Sequence, residues 1–326
     1  MNKNSKVYIA GHTGLLGSAL VRRLNQDGYD LFTLGRLALN LLDPCAVVEF
    51  LKTVCPDYVF FVAAKVGGIA ENIKYPVQFL EENLVIQQNV MRAACITGVK
   101  KLLFFGANCC YPRECPQPIR EEYLMTGSLE PTSRAYAMAK LAGIEMCQAF
   151  NAQYGTNFIA AIPASMYGKN DHFEDWRAHV LPDMIKKFHH AAVNGLPEVV
   201  LWSDGSPRRE FIFADDAADA SVFLMDNFNP SKSEIAQGEI LVNVGTGIDY
   251  SIAELADIVR SVVGYTGKIV WDTSKPNGVP RKLLDSSKCR NLGWKHKTGL
   301  KEGIMIAYEW YLWHFQNKKK ISGFDG

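Results

Sequence analysis

The sequence predicts an α/β fold in which a doubly wound parallel sheet is joined to a smaller C-terminal α/β lobe. Three observations lead to this prediction. Between about residues 7 and 164, short apolar runs alternate with longer stretches of helical period. The apolar runs are not interrupted by polar residues, which is typical of parallel strands covered on both faces. Right-handed crossovers between such strands then favour the doubly wound arrangement.

Each element of the first half follows from its own run of residues. The helix predicted over residues 15–26 carries Leu16, Leu20, Val21 and Leu24 on one face. A second helix is predicted over about 82–97 and a third over 134–154, both with long apolar faces. The predicted strands cover residues 7–10, 31–34, 58–63, 101–105 and 158–162.

The regular alternation stops after Tyr167, where charged and Gly/Pro-rich stretches begin. We therefore predict a dinucleotide-binding domain over residues 1–167 and a substrate lobe formed mainly by residues 168–326. This lobe is expected over the carboxyl ends of the strands, where such sheets bind their substrates. Residues 210–218 and 238–248 are expected to return to the first domain; residues 240–244 form another apolar run.

Composition and the lengths of the apolar runs argue against nucleic-acid binding, a membrane span and a signal peptide. The chain has 35 Lys and Arg against 34 Asp and Glu, a formal net charge of +1, so attraction to nucleic acid is not expected. No run approaches the roughly 18 apolar residues of a membrane span. The four apolar residues before Gly11 are too few for a signal-peptide core. The eight cysteines are therefore expected to be reduced thiols, and the expected location is the cytoplasm.

A glycine-rich turn follows the first predicted strand and opens the first predicted helix, as in Rossmann dinucleotide-binding domains. Gly11 allows a tight turn, Gly14 lets a diphosphate approach the backbone, and Gly17 lets the helix pack on the strand. The free N–H groups of the helix favour the phosphates. The turn predicts cofactor contacts at Gly11, His12, Thr13, Gly14, Leu15, Leu16 and Gly17.

The end of the second strand indicates which dinucleotide is bound. NAD-binding domains place a carboxylate there for the ribose hydroxyls. Here the segment ends in Leu34, Gly35 and Arg36, and the nearby acid Asp30 lies before the strand. An arginine at this place can pair with a 2′-phosphate, which favours NADP(H).

Tyr136 and Lys140 are the predicted catalytic pair. A spacing of four puts both side chains on one face of the predicted helix. Lys140, together with an oxidised nicotinamide, is expected to lower the pKa of Tyr136 from its usual value of about 10. Tyr136 could then protonate the oxygen formed when a hydride reaches a carbonyl carbon. The glycine-rich turn and this pair together resemble the short-chain dehydrogenase/reductase superfamily, most members of which add a Ser or Thr just after the fourth strand. Ala107 takes that place here, and Asn108 is the candidate replacement.

The chain resembles the GDP-L-fucose synthase family, a branch of the extended short-chain dehydrogenase/reductases, over nearly its whole length. The residues that carry the resemblance are Gly-x-x-Gly-x-x-Gly at 11–17, Leu-Asn-Leu-Leu-Asp at 39–43, Ala-Ala-Lys-Val-Gly-Gly-Ile at 63–69, Leu-Glu-Pro-Thr at 129–132, Tyr-Ala-x-Ala-Lys at 136–140, Arg-Glu-Phe at 209–211, Asn-Val-Gly-Thr-Gly at 243–247 and Lys-Pro-x-Gly-x-Pro-Arg-Lys at 275–282.

The resemblance implies roles that the residues alone do not. Cys109 and His179 match the family's epimerase acid/base pair. A GDP-4-keto sugar is the implied substrate, and Lys187, Trp202, Arg209 and Asn277 are its implied contacts. No metal is implied, because Cys109, Cys110 and Cys115 lack paired ligands at a usual spacing. The family also implies a homodimer formed by helices near 84–97 and 136–152. Further implied NADP contacts are Asn40, Leu41, Ala63, Ala64, Lys65, Lys140, Pro163, Met166 and His179.

Departures from the family pattern cluster on the sugar side, at Ala107, Asn108, Arg134, Ala164 and Ser165. Losing a hydrogen-bond donor at the ketone should weaken an enolate more than a reduction. We therefore expect NADPH-dependent reduction of the carbon-4 ketone of a GDP-linked 6-deoxyhexose or heptose. Three alternatives stay open: the bifunctional 3,5-epimerase/4-reductase, a dehydratase or 4-epimerase of the superfamily, and a non-catalytic NADP-binding protein. A dehydratase would carry an Asp-Glu pair near 107–110, which is missing here.

Overall fold

The computed structural model describes residues 1–173, 178–275 and 277–322, with side chains up to His314. Its strands are β1 (Lys6–Ala10), β2 (Asp30–Phe32), β3 (Tyr58–Phe61), β4 (Lys101–Phe105), β5 (Phe158–Pro163), β6 (Ser165–Tyr167), β7 (Glu198–Trp202), β8 (Arg208–Phe213), β9 (Leu241–Val244), β10 (Asp249–Ser251), β11 (Lys268–Asp272) and β12 (Arg281–Lys282).

Its helices are α1 (Leu15–Gln26), α2 (Pro44–Val54), α3 (Ile69–Lys74), α4 (Pro76–Ile96), α5 (Arg134–Tyr154), α6 (Val180–Val193), α7 (Ala214–Asn227), α8 (Lys232–Ala236), α9 (Ile252–Val263), α10 (Ser287–Asn291) and α11 (Leu300–Ser322). None of the helices described here is long and apolar enough to cross a membrane.

A six-stranded parallel sheet in the order β2-β1-β3-β4-β5-β9 confirms the predicted fold class. Right-handed crossovers put α1 on one face of this sheet and α2, α4 and α5 on the other. The helices pack accordingly: α4 lies against α2 and α5, and α1 lies against α7. All residues of β4 and β5 are buried, which explains their continuous apolar sequence.

The structure differs from the predictions at several boundaries and adds one helix. Helix α4 begins at Pro76 rather than near residue 82, because proline is well suited to the first helical position. Strand β2 ends at Phe32, short of Leu34. Helix α2 was not predicted, although Asp43 caps it by accepting hydrogen bonds from the Cys45 and Ala46 N–H groups.

The second half of the chain builds two smaller sheets, and β6, in one of them, begins two residues after the carboxyl end of β5. In one, β8 pairs with β6, β10 and β12; in the other, β7 pairs with β11. Helices α6, α9 and α11 cover a separate apolar core that includes Ile185, Phe188, Leu255 and Ile304. Residues 241–244 return to the large sheet as β9, while residues 210–218 end β8 and begin α7, which packs on α1.

Candidate active site

In the glycine-rich turn between β1 and α1, the backbone of Gly11 and Gly17 lies so close to neighbouring backbone atoms that a side chain would not fit. Gly11 has φ +93°, and a Cβ there would lie 2.7 Å from the backbone nitrogen of Ala63. A Cβ on Gly17 would lie 2.0 Å from the Gly11 oxygen. The predicted packing role of Gly17 is thus a backbone-to-backbone contact.

The N-terminus of α1 is open to an anion. Gly14 is its N-cap and provides no side-chain cap, and the first turn carries no acidic residue. The N–H groups of Leu15, Leu16 and Gly17 therefore have no acceptor within the helix and face outward at its positive end. This arrangement fits the diphosphate of a dinucleotide cofactor.

Arg36 is exposed beyond the end of β2 and makes no ion pair within the described chain. Asp30 starts β2 and so lies at the opposite end of that strand. A cation without an acidic partner at this edge suits the 2′-phosphate that distinguishes NADP from NAD.

The residues after β3 are held by Asn83, a side chain that the sequence analysis did not single out. Its amide accepts a hydrogen bond from the Lys65 nitrogen (2.9 Å) and donates one to the Lys65 oxygen (3.0 Å). The Lys65 ammonium lies 3.6 Å from the Glu82 carboxylate. The segment with Ala63, Ala64 and Lys65 is therefore fixed beside the glycine-rich turn, where Ala63 meets Gly11.

Four further residues implied as cofactor contacts lie in two other segments, one before α2 and one at the end of β5 and in β6. Asn40 accepts a hydrogen bond from the Leu42 nitrogen (3.2 Å), and the Leu41 oxygen accepts one from Asn89 (2.9 Å). Pro163 ends β5 and Met166 lies in β6, next to the carboxyl end of the sheet.

Lys140 is anchored to the end of β4. Its Nζ donates a hydrogen bond to the Phe105 oxygen at 2.8 Å and lies 4.7 Å from the centre of the Phe104 ring, with the residue only 2% exposed. Burial lowers the pKa of Lys140 to about 8. Tyr136, one turn earlier, meets the Phe79 ring edge-on at 6.1 Å.

The structure shows no lowering of the Tyr136 pKa by Lys140 alone. Burial raises the pKa of Tyr136 well above 10, and nearby Cys109 and Cys110 add to the effect. The reason is that the Lys140 ammonium is directed at the Phe105 oxygen, so it does not offset the cost of burying a phenolate. Tyr136 therefore keeps its proton at neutral pH, which is the form that a proton donor needs.

Cys109 lies in a single helical turn, Asn108–Cys110, directly after β4. A hydrogen bond from Cys110 lowers the pKa of Cys109, burial opposes this, and the cations of Lys282 and Lys140 lower it further. The side chain is partly exposed although protein surrounds it closely, as expected in the wall of a cleft. These interactions favour the thiolate form of Cys109.

The stretch beside Cys109 offers a different donor set from a hydroxyl at position 107. Ala107 is partly buried, and its methyl group cannot donate a hydrogen bond. The Asn108 amide nitrogen lies 3.4 Å from the Ser165 hydroxyl oxygen, which links the turn after β4 to the start of β6. Two of the departures noted in the sequence thus contact each other.

His179 is the N-cap residue of α6 and reaches solvent. Surrounding protein lowers the pKa of His179, and His172 adds a like-charge effect. Both effects favour the neutral form of the ring. Its position in a separate helix, with no hydrogen bond to Cys109 among the described residues, is compatible with acting on another face of a substrate.

The predicted nucleotide contacts gather in the C-terminal half. Trp202 is 66% exposed, and the ammonium groups of Lys187 and Lys275 lie 5.9 and 5.7 Å from its ring centre. Lys187 also pairs with Asp183 at 2.8 Å. Arg209 has no acidic partner in the part of the chain described, and burial lowers its pKa.

Asn277 does not present a free amide. It donates to Asp204 (2.9 Å) and accepts from the Asp204 backbone nitrogen (3.2 Å), so it joins the loop after β7 to the loop after β11. A surface cavity of ≈ 500 Å³ between α2 and α4, lined by Pro44, Cys45 and Arg92 among others, contains none of the predicted site residues. Among the described residues no group of His, Cys, Asp and Glu could hold a metal ion.

Comparison with known proteins agrees with this geometry. The model of the NAD dependent epimerase/dehydratase family matches residues 7–245. GDP-L-fucose synthase 1 of Arabidopsis thaliana is 48% identical over 318 residues, which cover 97% of this chain and 96% of that protein. This chain belongs to the GDP-L-fucose synthase family. The resemblance stated from its sequence is thus confirmed.

Solved structures similar to this member of the GDP-L-fucose synthase family include two reductases from Campylobacter jejuni. A GDP-6-OMe-4-keto-L-xylo-heptose reductase is 39% identical with a TM-score of 0.91, covering 96% of this chain and 99% of that one. A GDP-mannoheptose C4 reductase with NADP bound is 41% identical with a TM-score of 0.87, and the same shares of the two chains are covered.

Proposed function

We propose that this protein reduces the carbon-4 ketone of a GDP-linked 4-keto sugar, a 6-deoxyhexose or a heptose, with NADPH. The observation that carries the proposal is the grouping of Tyr136, Lys140 and Cys109 at the carboxyl end of β4, in a chain of the GDP-L-fucose synthase family. The C4 reductase from Campylobacter jejuni supports both the reaction and the cofactor.

The proposed chemistry uses few groups. NADPH, when bound at the glycine-rich turn, supplies the hydride for carbon 4. Tyr136 donates its phenolic proton to the ketone oxygen as negative charge develops there, and water later restores that proton. Lys140 contributes a fixed positive charge, since the Phe105 oxygen anchors its ammonium at 2.8 Å. The raised pKa of Tyr136 keeps the proton available until that charge appears.

The C-terminal lobe is proposed to hold the GDP moiety. Arg209, without an acidic partner, suits the diphosphate through its two-pronged guanidinium. The exposed Trp202 ring offers a stacking face for guanine, next to Lys187.

Incubation with a set of GDP-4-keto sugars, followed by NADPH absorbance and NMR of the product, tests the function. If none of these sugars led to oxidation of NADPH, the proposed function would be refuted.

Arg36→Met tests the cofactor assignment. Because a charge-assisted hydrogen bond contributes about 1.5–3 kcal/mol, we expect the KM for NADPH to rise by roughly 10- to 150-fold. The KM for NADH should not change, since NADH has no 2′-phosphate. Arg22→Met, which removes a cation of α1 paired with Asp215, serves as the control. Equal effects of Arg36→Met on both cofactors would contradict the assignment.

The bifunctional 3,5-epimerase/4-reductase is the second candidate, and the lowered pKa of Cys109 favours it. Wild-type enzyme acting on GDP-4-keto-6-deoxymannose in deuterated water should then place deuterium at carbons 3 and 5. Cys109→Ser should abolish this incorporation while retaining reduction of a sugar that needs no epimerisation. A product without deuterium at either carbon would exclude the epimerase activity and leave ketone reduction as the proposed function.

We further propose that the protein is a cytoplasmic homodimer. Helices α4 and α5 pack side by side, and both carry exposed apolar side chains: Val77, Leu80, Ile96, Met138 and Tyr154. A pair of such faces would form a four-helix interface. Sedimentation equilibrium giving the 36.3 kDa mass of one chain would refute the dimer.

A further inference from the structure

Glu210 is a buried carboxylate that joins three segments of the chain. It lies in β8 and is only 2% exposed. One of its oxygens accepts hydrogen bonds from the Gly247 nitrogen (2.7 Å) and the Thr246 hydroxyl (3.4 Å), which follow β9. The other oxygen accepts one from the Leu284 nitrogen (2.9 Å), two residues after β12. The carboxylate therefore connects β8 to the loop after the last strand of the large sheet and to the end of β12.

The positions of these donors explain why a carboxylate stands at this point. Among the residues that the structure describes, Glu210 forms no ion pair, and burial raises its pKa, while its hydrogen bonds oppose this effect. A carboxylate has two acceptor oxygens and no donor, so it satisfies donors on both sides. A glutamine side chain would turn an N–H group toward one of those donors. The buried charge, which is costly by itself, is thus matched to the donors that meet it.

The segments that Glu210 joins also surround Arg209. Arg209 precedes Glu210 in β8, so the two side chains lie on opposite faces of the strand. The stretch 277–282 leads into β12 and lies against the guanidinium: a Cβ at Gly278, where φ is +70°, would lie 3.6 Å from the Arg209 Nη2. The first residue of this stretch donates a hydrogen bond to the Asp204 carboxylate at 2.9 Å. The wall beside the proposed diphosphate contact is therefore held near both of its ends.

A second set of bonds holds the segment after β12 independently of Glu210. The Ile119 nitrogen donates to the Leu283 oxygen, and the Ile119 oxygen accepts from the Asp285 nitrogen, both at 2.7 Å. These bonds stay in place when the Leu284 nitrogen loses its acceptor. We therefore expect the protein to fold without the Glu210 charge, with the change confined to the edge of the segment that faces β8.

We propose that Glu210 is a positioning residue for the GDP moiety of the substrate. It holds the stretch 277–282 against Arg209, so that the guanidinium meets the diphosphate in a fixed arrangement. This inference rests on the proposed function. Glu210 makes or breaks no bond and acts through Arg209. Contacts to a part of the substrate that does not react stabilise the ground state and the transition state alike, so weakening them raises KM and leaves kcat unchanged.

Glu210→Gln tests the proposal, because it keeps the shape of the side chain and replaces one acceptor oxygen by a donor. We expect the Kd of GDP, measured by calorimetry, and the KM for the GDP-4-keto sugar to rise about 10-fold. The kcat and the KM for NADPH should change less than about twofold. Hydrogen exchange mapped by mass spectrometry should become faster at the Leu284 or the Gly247 amide.

Glu121→Gln is a matched control for the loss of a buried charge. Burial also raises the pKa of Glu121, and its carboxylate accepts a hydrogen bond from the Asn243 nitrogen of β9 at 2.8 Å. The variant thus removes a similar charge without touching the contact between Glu210 and Leu284. We expect its Kd for GDP to stay within about twofold of the wild-type value.

Gly245→Ala is an independent variant that keeps the Glu210 charge. A Cβ at Gly245 would collide with the Glu210 carboxylate, so the carboxylate must move, and the Kd of GDP should rise as in Glu210→Gln. A wild-type Kd in Glu210→Gln, or an equal rise in Glu121→Gln, would overturn the proposal. Should Glu210→Gln not fold, Gly245→Ala decides by the same criteria. If the wild type binds no GDP, the proposed function fails, and the wild-type titration alone shows this.

Discussion

Tyr136→Phe is expected to lower kcat for ketone reduction by about 10³-fold, within the range of about 10²–10⁴ found for general acids. The phenylalanine ring keeps the edge-on contact with Phe79 and removes only the proton donor. Affinity for NADPH should stay within about twofold of wild type, because the phenol is not needed to hold the diphosphate or the 2′-phosphate. Single-turnover absorbance at 340 nm and a fluorescence titration with NADPH measure the two quantities.

A second variant separates loss of the proton donor from loss of the neighbouring charge. Lys140→Met removes the ammonium held by the Phe105 oxygen but leaves the phenol of Tyr136 in place. We expect it to impair both the rate and the cofactor affinity, since the family assigns Lys140 to both. Tyr136→Phe with unchanged turnover would end the proposed role of Tyr136, whatever Lys140→Met does.

Local signals explain why much of the fold could be predicted. Helix α5 was predicted to the residue because Gly155, which follows Tyr154, adopts the left-handed conformation that ends a helix. Strand β4 was predicted to the residue because its apolar run is buried on both faces. Helix α2 was missed although its Asp43–Pro44 start is a recognised signal, because its several valines lower the helix propensity and only Val47 and Leu51 are buried.

The candidate site was predictable only where it depends on local spacing. A separation of four residues places Tyr136 and Lys140 together in any helix. The anchor of Lys140, the Phe105 oxygen, lies on another element, so the small effect of Lys140 alone on the Tyr136 pKa could not be predicted from the spacing. Lys282 was visible as the last residue of a motif, but its place beside Cys109 depends on the pairing of β12 with β8, which no local pattern shows.

Two single substitutions in the glycine-rich turn distinguish its contribution to stability from its contribution to cofactor binding. Gly17→Ala puts a Cβ about 2 Å from the Gly11 oxygen, so the backbone must shift, at a cost of about 1–3 kcal/mol or more. Gly14→Ala meets only the Gly11 oxygen at 3.7 Å, in an ordinary backbone conformation, so its free energy of unfolding should match wild type within about 0.5 kcal/mol.

We expect both variants to lose NADPH affinity, for different reasons. Gly17→Ala displaces the N–H groups at the start of α1, and urea unfolding should show the destabilisation. Gly14→Ala leaves the fold intact but places a methyl group where the diphosphate approaches the backbone, so the Kd for NADPH should rise at least ~10-fold, equivalent to about 1.4 kcal/mol. If Gly14→Ala binds NADPH as tightly as wild type, the diphosphate does not lie on this turn, and the positive end of α1 then has a purely structural role.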